Sequence, residues 1–315
     1  MMELTLLGTG CPKVDYKRFG PANLISTKMT KILVDCGSGI TQRLDQINIS
    51  TADIDALFLT HLHSDHVVDL YQLIISSWHS YRIKPWIIYG PPGTKIFIKK
   101  IMNAWKKERE QRINYEARSS IKAFDIIVKE FKSFGNIKIK DLKIVYFTVD
   151  HKPVKYAYGF NFYYNKKKLT ISGDTKPCEN IMKFGQNADV LLHEVFIDGE
   201  IKETNKMRTK KTLHNVRDYH TPSTIVGKIA KITNCKKLVL THFVPTKFNE
   251  NKLMKIVRND FLQAAAELKS GVIEYSQCPS SRTNLSEWHF LVFEMLAFRA
   301  IYFITFEYTG SFPNT

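Results

Sequence analysis

Cysteine is scarce in this 315-residue chain: Cys11, Cys36, Cys178, Cys235 and Cys278 are far apart, odd in number and never spaced as Cys-x-x-Cys. That argues against a disulfide framework or a thiolate zinc cluster, and it fits a reducing, cytoplasmic setting. A long uncharged apolar run is missing too. The best candidate, 290–306, is broken by Glu294 and Arg299, whereas a membrane span needs about 20 nearly uncharged residues. The opening Glu3-Leu4-Thr5-Leu6-Leu7 reads as a strand with no basic leader ahead of it, so no secretory signal is expected. Acidic residues are the minority, 30 Asp+Glu against 46 Lys+Arg, for a formal net charge of +16. Arginine supplies only 11 of the 46; the 35 lysines are scattered in short groups such as Lys99-Lys100 and Lys166-Lys167-Lys168. Because Arg is the side chain suited to bidentate phosphate reading, the charge fits a polyanionic partner and a Lys-rich compositional drift about equally.

What is present describes a folded chain. An apolar fraction of 44% and an aromatic fraction of 12% exclude a disordered, collagen-like or polytopic membrane protein. Short apolar runs predict strands at 31–35, 56–60, 86–89, 142–149, 156–163, 169–172, 190–193 and 238–241. Helical patterns are expected at 67–81, about 95–130, 223–232 and 252–270. Interleaved strands and helices imply an α/β layered fold. The charged stretch within 95–132 reads either as an inserted helical cap or as a solvated connecting helix. The expected domain runs from 1 to 275. Residues 276–315 form a tail of different character, expected to dock on the body or on a dimer partner, with membrane attachment as an alternative.

The strongest local signal is Thr60-His61-Leu62-His63-Ser64-Asp65-His66, directly after the apolar run Ala56-Leu57-Phe58-Leu59. Imidazole nitrogens and carboxylates bind Zn²⁺ at neutral pH, and a tight turn lets alternate side chains face one ion while the last two face another. His151, Asp174 and His242 each follow a predicted strand. Strands running the same way would deliver all three to one sheet edge, where open α/β sheets place their sites.

Further pieces complete a pattern: Leu6-Leu7-Gly8-Thr9-Gly10, Asp35-Cys36-Gly37-Ser38-Gly39 with Thr41-Gln42, Gly90-Pro91-Pro92-Gly93, Ser172-Gly173-Asp174-Thr175, His193-Glu194, His220-Thr221 and Thr241-His242. With the histidine motif, they make the chain resemble a metallo-β-lactamase-fold hydrolase of the ribonuclease Z and arylsulfatase-like branch. The resemblance implies an αββα four-layer sandwich with an inserted helical segment. It implies two Zn²⁺ ions (Mn²⁺ or Fe²⁺ also possible), one on His61, His63 and His151, the other on Asp65, His66 and His242, with Asp174 bridging. A redox relative would carry an acidic residue where His63 stands, so hydrolysis by a metal-bridging hydroxide is favoured. Asp65 would also orient the nucleophile. Glu194 and His220 would assist the leaving group, unless they are a buried structural pair. Thr221 and Pro222 read as the N-cap and first position of the following helix. Asp35 is expected to shape a loop beneath the site, and His193 to be packed near it.

The substrate expectation rests on spacing. The 23 positions from His151 to Asp174 suffice for one hairpin with a tight turn, whereas the short bacterial ribonucleases Z carry a tRNA-gripping arm there. A small anionic phosphate, sulfate or carboxylic ester, cleaved by an arylsulfatase-like or phosphodiesterase-like enzyme, is therefore the first expectation. A tRNA 3′-end endoribonuclease is the alternative, with tRNA or other nucleic acid as partner; a non-catalytic binding protein on the same scaffold is a third. By resemblance the chain would be a homodimer.

Overall fold

Residues 2–8 supply apolar side chains on both sides of a strand, and β1 (Met2–Gly8) accordingly lies between two layers. In the computed structural model, which describes residues 1–202, 204, 208–265 and 302–306, Met2, Leu4 and Leu6 point into one core while Leu7 points into another. The period-2 alternation recurs in β2 (Ala22–Ser26) and β3 (Lys31–Val34): Ile32 and Val34 face inward, Leu33 outward. Continuous apolar runs of this kind mark strands covered on both faces.

The chain continues through α1 (Ile40–Gln46), β4 (Ala56–Phe58), the single turn α2 (Ser64–Val67), α3 (Leu70–His79) and β5 (Trp86–Gly90). Then come α4 (Thr94–Ala104), α5 (Lys106–Glu116), β6 (Ile126–Glu130), β7 (Phe134–Ile139), β8 (Leu142–Thr148), β9 (Tyr158–Tyr164) and β10 (Lys167–Ile171). The second half holds α6 (Glu179–Phe184), β11 (Val190–Phe196), α7 (Lys210–Asp218), α8 (Ser223–Ile232), β12 (Leu238–Val244), α9 (Glu250–Arg258), β13 (Ala264–Ala265) and β14 (Tyr302–Phe306). One sheet has the order β14-β1-β2-β3-β4-β5-β6, the other β13-β12-β11-β10-β9-β8-β7. Pairing is parallel from β3 to β6 and from β10 to β13, and antiparallel elsewhere.

Three apolar layers separate four structural ones. Phe58, Phe160, Phe162 and Leu192 pack between the sheets. Leu44 of α1, Ile74 of α3 and Ile98 of α4 cover the first sheet with Leu57 and Trp86. Ile181 of α6, Ile229 of α8 and Val257 of α9 cover the second with Leu191 and Leu240. The fold is thus the expected αββα sandwich. Since β8 and β10 both run antiparallel to β9, and β10, β11 and β12 are parallel, β8, β10 and β12 end at one edge.

The structure corrects the sequence at two helices. The segment expected to be helical over 95–132 is helical only in α4 and α5, which break at Trp105; α5 buries no residue. After Ala117, at a left-handed φ of 46°, the chain makes a short 3-10 turn and enters β6, which pairs with β5 in parallel register. The β-branched run Ile126-Ile127-Val128 suits that strand better than a helix. The helix expected over 252–270 ends at Arg258, and 266–270 lie outside the described residues. Of the tail 276–315 the structure describes 302–306, which pair antiparallel with β1 in the register Met2↔Phe306. Among the described residues no helix is long and apolar enough to cross a membrane.

Candidate metal centre

The loop after β4 is bolted down before it presents any ligand. Asp35, at φ 62°, accepts from the Thr60 N–H (2.8 Å) and hydroxyl (2.9 Å) and from His66 Nδ1 (2.8 Å). With its hydrogen committed to Asp35, the Thr60 hydroxyl oxygen accepts from His61 Nδ1 at 3.0 Å. The His66 N–H donates to the His63 carbonyl, closing the turn of α2. On the second sheet, His151 Nδ1 donates to the Tyr219 carbonyl at 2.8 Å. The Nδ1 bonds of His61, His66 and His151 orient each ring and leave Nε2 to face the centre, as outer partners of metal-ligating histidines do.

Those Nε2 atoms converge. Asp174 Oδ2 lies 3.8 Å from Nε2 of His61, 3.4 Å from that of His66, 3.9 Å from that of His151 and 3.2 Å from that of His242. The donor atoms of His61, His63, His151 and Asp174 lie within 4.8 Å of one another, and so do those of Asp65, His66 and His242. The loop after β4 thus meets the ends of β8, β10 and β12, and all seven sequence-predicted ligands come together.

The residues fit metal ligation. Two ligands each about 2.1 Å from a tetrahedral ion lie roughly 3.4 Å apart, the spacing found around Asp174. Nε2 of His61, His66 and His151 are buried without a hydrogen-bond partner, a condition that costs about 1–3 kcal/mol per group unless something is bound there. Burial, reinforced by His66, pushes His61 well below the ordinary imidazole value, and burial also lowers His63 and His151, so the three stand as neutral donors. At His66 burial acts the same way but is outweighed by Asp174 and Asp35, which hold the imidazole well above its usual value. A cation would take the place of that proton. Burial raises the carboxyl groups of Asp174 and Asp65, yet the surrounding imidazoles, His242 and His66 above all, keep both below the usual carboxylate range.

His220 and Glu194 also meet at the centre. His220 Nδ1 is 3.1 Å from Glu194 Oε1, and the donor atoms of His220, Asp174 and His242 form a third close group. Glu194 Oε1 accepts the N–H groups of Thr175 (3.1 Å) and Thr221 (3.0 Å) as well. Burial lowers His220, but Glu194 overcomes this and raises it. Thr221 is not the helix cap expected of it: its hydroxyl donates to the Thr175 carbonyl at 2.6 Å, and Pro222 occupies the N-cap of α8. Asp198 serves that helix end instead, accepting from the Thr224 hydroxyl at 3.1 Å.

His193 is buried with Nδ1 donating to the Glu194 carbonyl, and belongs to none of the close groups. His79 meets Arg118, His214 lies on exposed α7, and His289 is outside the described residues. Sequence reasoning missed Tyr219, whose carbonyl orients His151 and whose ring packs against His151 (5.0 Å) and His220 (4.6 Å). Its position directly before His220 was the available signal.

Comparison with known proteins agrees with this geometry. A family model described as Anti-Pycsar protein Apyc1 matches residues 2–218. Ribonuclease Z of Mycobacterium bovis is 32% identical over 248 residues, covering 78% of this chain and 87% of that protein. Among solved structures, the metallo-β-lactamase-fold protein YhfI of Bacillus subtilis superposes with a TM-score of 0.66 at 19% identity, covering 84% of this chain and 96% of its own. The short form of human tRNase Z gives 0.60 at 24% identity, covering 76% and 92%. The chain therefore belongs to the Anti-Pycsar protein Apyc1 family and, with the ribonuclease Z proteins, to the hydrolases of the metallo-β-lactamase fold.

Proposed function

We propose that this chain hydrolyses phosphodiester bonds with two metal ions, zinc by preference, and that its substrate is RNA cleaved in the manner of a ribonuclease Z. The observation carrying this is the convergence of four histidine Nε2 atoms on one oxygen of Asp174. His61, His63 and His151 would hold one ion, Asp65, His66 and His242 the other, and Asp174 both; Mn²⁺ or Fe²⁺ would suit the same donors. Such ions, when bound, activate a water molecule and offset charge on the substrate oxygens. The chain's own residues supply orientation and proton transfer. Asp65, whose Oδ2 lies 3.3 Å from His242 Nε2, is placed to orient the attacking water. With Nδ1 on Glu194, His220 presents Nε2 to the substrate side and can hand its proton to the departing oxygen. Glu194 cannot swing away, because two backbone N–H groups hold the same oxygen.

The ribonuclease Z relatives support the RNA substrate over the arylsulfatase-like expectation. One observation favours a second reading, a small phosphodiester or sulfate ester. Strands β9 and β10 are joined by Asn165 and Lys166 alone, both at positive φ (45° and 62°), which is a type I′ hairpin with no room for an arm. The free thiols of Cys11, Cys36, Cys178 and Cys235 support a reducing, cytoplasmic location. A homodimer and a hydrolase domain ending near 275 complete the proposal.

The test is a panel on the zinc-loaded full chain: a 3′-extended tRNA, bis(p-nitrophenyl) phosphate and an aryl sulfate, each with a chelator control. Expected are chelator-sensitive tRNA cleavage falling steeply with salt, and loss of turnover in Asp174→Ala and His63→Ala with folded circular dichroism retained. Turnover of the small esters alone would select the second reading. Activity indifferent to chelator and to both substitutions would remove the metal mechanism.

A further inference from the structure

We propose that the cleft at the pole opposite the metal centre binds a nucleoside di- or triphosphate, its phosphates on Lys28 and Lys31 and its base on Tyr81. The cleft encloses about 500 Å³ where β3, β4 and β8 begin. The candidate metal ligands instead follow the ends of β4, β8, β10 and β12, so a molecule held here is separate from the ester being cleaved. The volume falls within the roughly 300–1,000 Å³ of a site for a whole small ligand.

Charge names one half of that ligand. The lining carries Lys28, Lys31, Arg82, Lys84 and Lys140 against Asp53 and Asp55, an excess of three positive charges. Asp55 is already held by Lys84 and Lys140, each at 2.8 Å. Lys31 meets Asp53 at 3.5 Å with both side chains partly exposed, a surface pair that contributes little and gives way to a stronger anion. Arg82 underlies the cleft as a buried cation. Its Nε donates to the Lys84 carbonyl and its terminal nitrogens to those of Ala52, Ile54 and Pro85, and the guanidinium lies 4.0 Å from the centroid of the Trp86 ring. Among these described partners there is no carboxylate. Burial, only partly opposed by Asp55, pushes Arg82 down to about 10, so it stays charged at neutral pH. A polyphosphate supplies the negative charge that this lining lacks.

Tyr81 names the other half. It follows the C-cap of α3, where its N–H donates to the Trp78 carbonyl (3.1 Å) and the Arg82 N–H to the Ser77 carbonyl (2.9 Å). These are the paired bonds of a helix end whose left-handed residue is usually glycine. Here the position, at φ 65°, holds a tyrosine that is 81% exposed, so no burial within the protein offsets an unfavourable backbone conformation. A ring standing out beside a cationic cleft offers a stacking face to a base, and Ile83, 71% exposed, adds apolar surface to the same lining. The two carboxylates interrupt the basic lining, which suits a discrete nucleotide better than a nucleic-acid strand tracking along continuous positive charge.

The experiment titrates the zinc-loaded full chain with ATP, pyrophosphate and adenosine by calorimetry and follows Tm with each. The proteins are wild type, Tyr81→Gly, the double variant Lys28→Gln/Lys31→Gln, and Asp174→Ala, which reports on anions held at the metal centre. Wild type is expected to bind ATP more tightly than pyrophosphate and pyrophosphate more tightly than adenosine, with ATP raising Tm. Tyr81→Gly should raise the Tm of the unliganded chain yet weaken ATP roughly ten- to hundredfold, the range of one base stack, and leave pyrophosphate unchanged. Because that variant is the more stable, its loss of affinity does not come from unfolding. The double variant should weaken ATP and pyrophosphate alike by about tenfold or more, and Asp174→Ala should keep the wild-type pattern. Binding lost in Asp174→Ala but kept in the other variants would place the anion at the metal centre and overturn the proposal. Equal affinity for ATP and pyrophosphate in wild type and Tyr81→Gly would overturn it too, as would no binding of ATP, or capture of a single-stranded oligoadenylate without ATP.

Discussion

Asp35 illustrates how much of the centre is built by side chains that would never touch an ion. It takes three hydrogen bonds, from Thr60 twice and from His66, and so aligns the loop that carries four of the seven donors. Asp35→Asn is expected to keep the fold and lower zinc affinity and turnover by about 10–100-fold, as loss of such outer partners does, measured by competition with a chromophoric chelator. His220 makes a different prediction. If it protonates the leaving oxygen, His220→Asn should slow esters of poorly leaving alcohols by about 10²-fold or more and p-nitrophenyl esters far less. Equal losses on both would assign it to binding. The candidate ligands were legible because His61, His63, Asp65 and His66 are local in sequence and chemically distinctive. Tyr219 was not, because it orients His151 through a carbonyl group that every residue possesses.

At the scale of elements, reading failed where pairing is non-local. The Lys- and Glu-rich stretch through α5 has high helical propensity, and Arg112 does bridge Glu108 and Glu116 along it. Where that helix must stop is decided by the open edge of β5, which no local pattern announces. Strand β7 was missed for the opposite reason: Gly135, Asn136 and Lys138 are weak strand formers, and the ladder to β8 overrides them. The β9–β10 hairpin, in contrast, was readable from its length and turn residues. There Lys166 occupies a left-handed conformation that costs a non-glycine residue about 1 kcal/mol. Lys166→Gly should therefore raise stability by about 0.5–1 kcal/mol in urea unfolding, with no effect on zinc binding; a decrease would mean that the lysine side chain makes a contact worth more than the backbone relief.

Across the whole molecule, the two sheets are joined at both ends. Opposite the metal centre, Asp55 at the start of β4 accepts from Lys84 Nζ at 2.8 Å and from Lys140 Nζ of the second sheet, also at 2.8 Å. Nearby Asp141 takes the hydroxyls of Thr27 (2.8 Å) and Thr30 (2.5 Å) across the same junction. Burial raises Asp55, but the hydrogen bonds from Lys140 and Lys84 outweigh it and leave the carboxyl below its ordinary 3.8. A depressed carboxyl stabilises the fold fully above the unfolded value and loses that contribution as pH falls through the folded one. Asp55→Asn should accordingly cost about 1–3 kcal/mol in urea unfolding at pH 7 and progressively less as the pH falls below 3.8 and through the lowered pKa of the folded wild-type carboxyl. An equal deficit at neutral and acid pH would locate the effect in packing instead.

The donor set is divided between the layers: His61, His63, Asp65 and His66 hang from the first sheet, and His151, Asp174 and His242 from the second. Neither half of the chain could assemble the centre by itself, so a polypeptide severed in the loop before β8 would recover it only when the two fragments reassociate. Cation uptake by such a split protein would report, with no substrate present, on the rejoining of the two fragments, which share strands in both sheets.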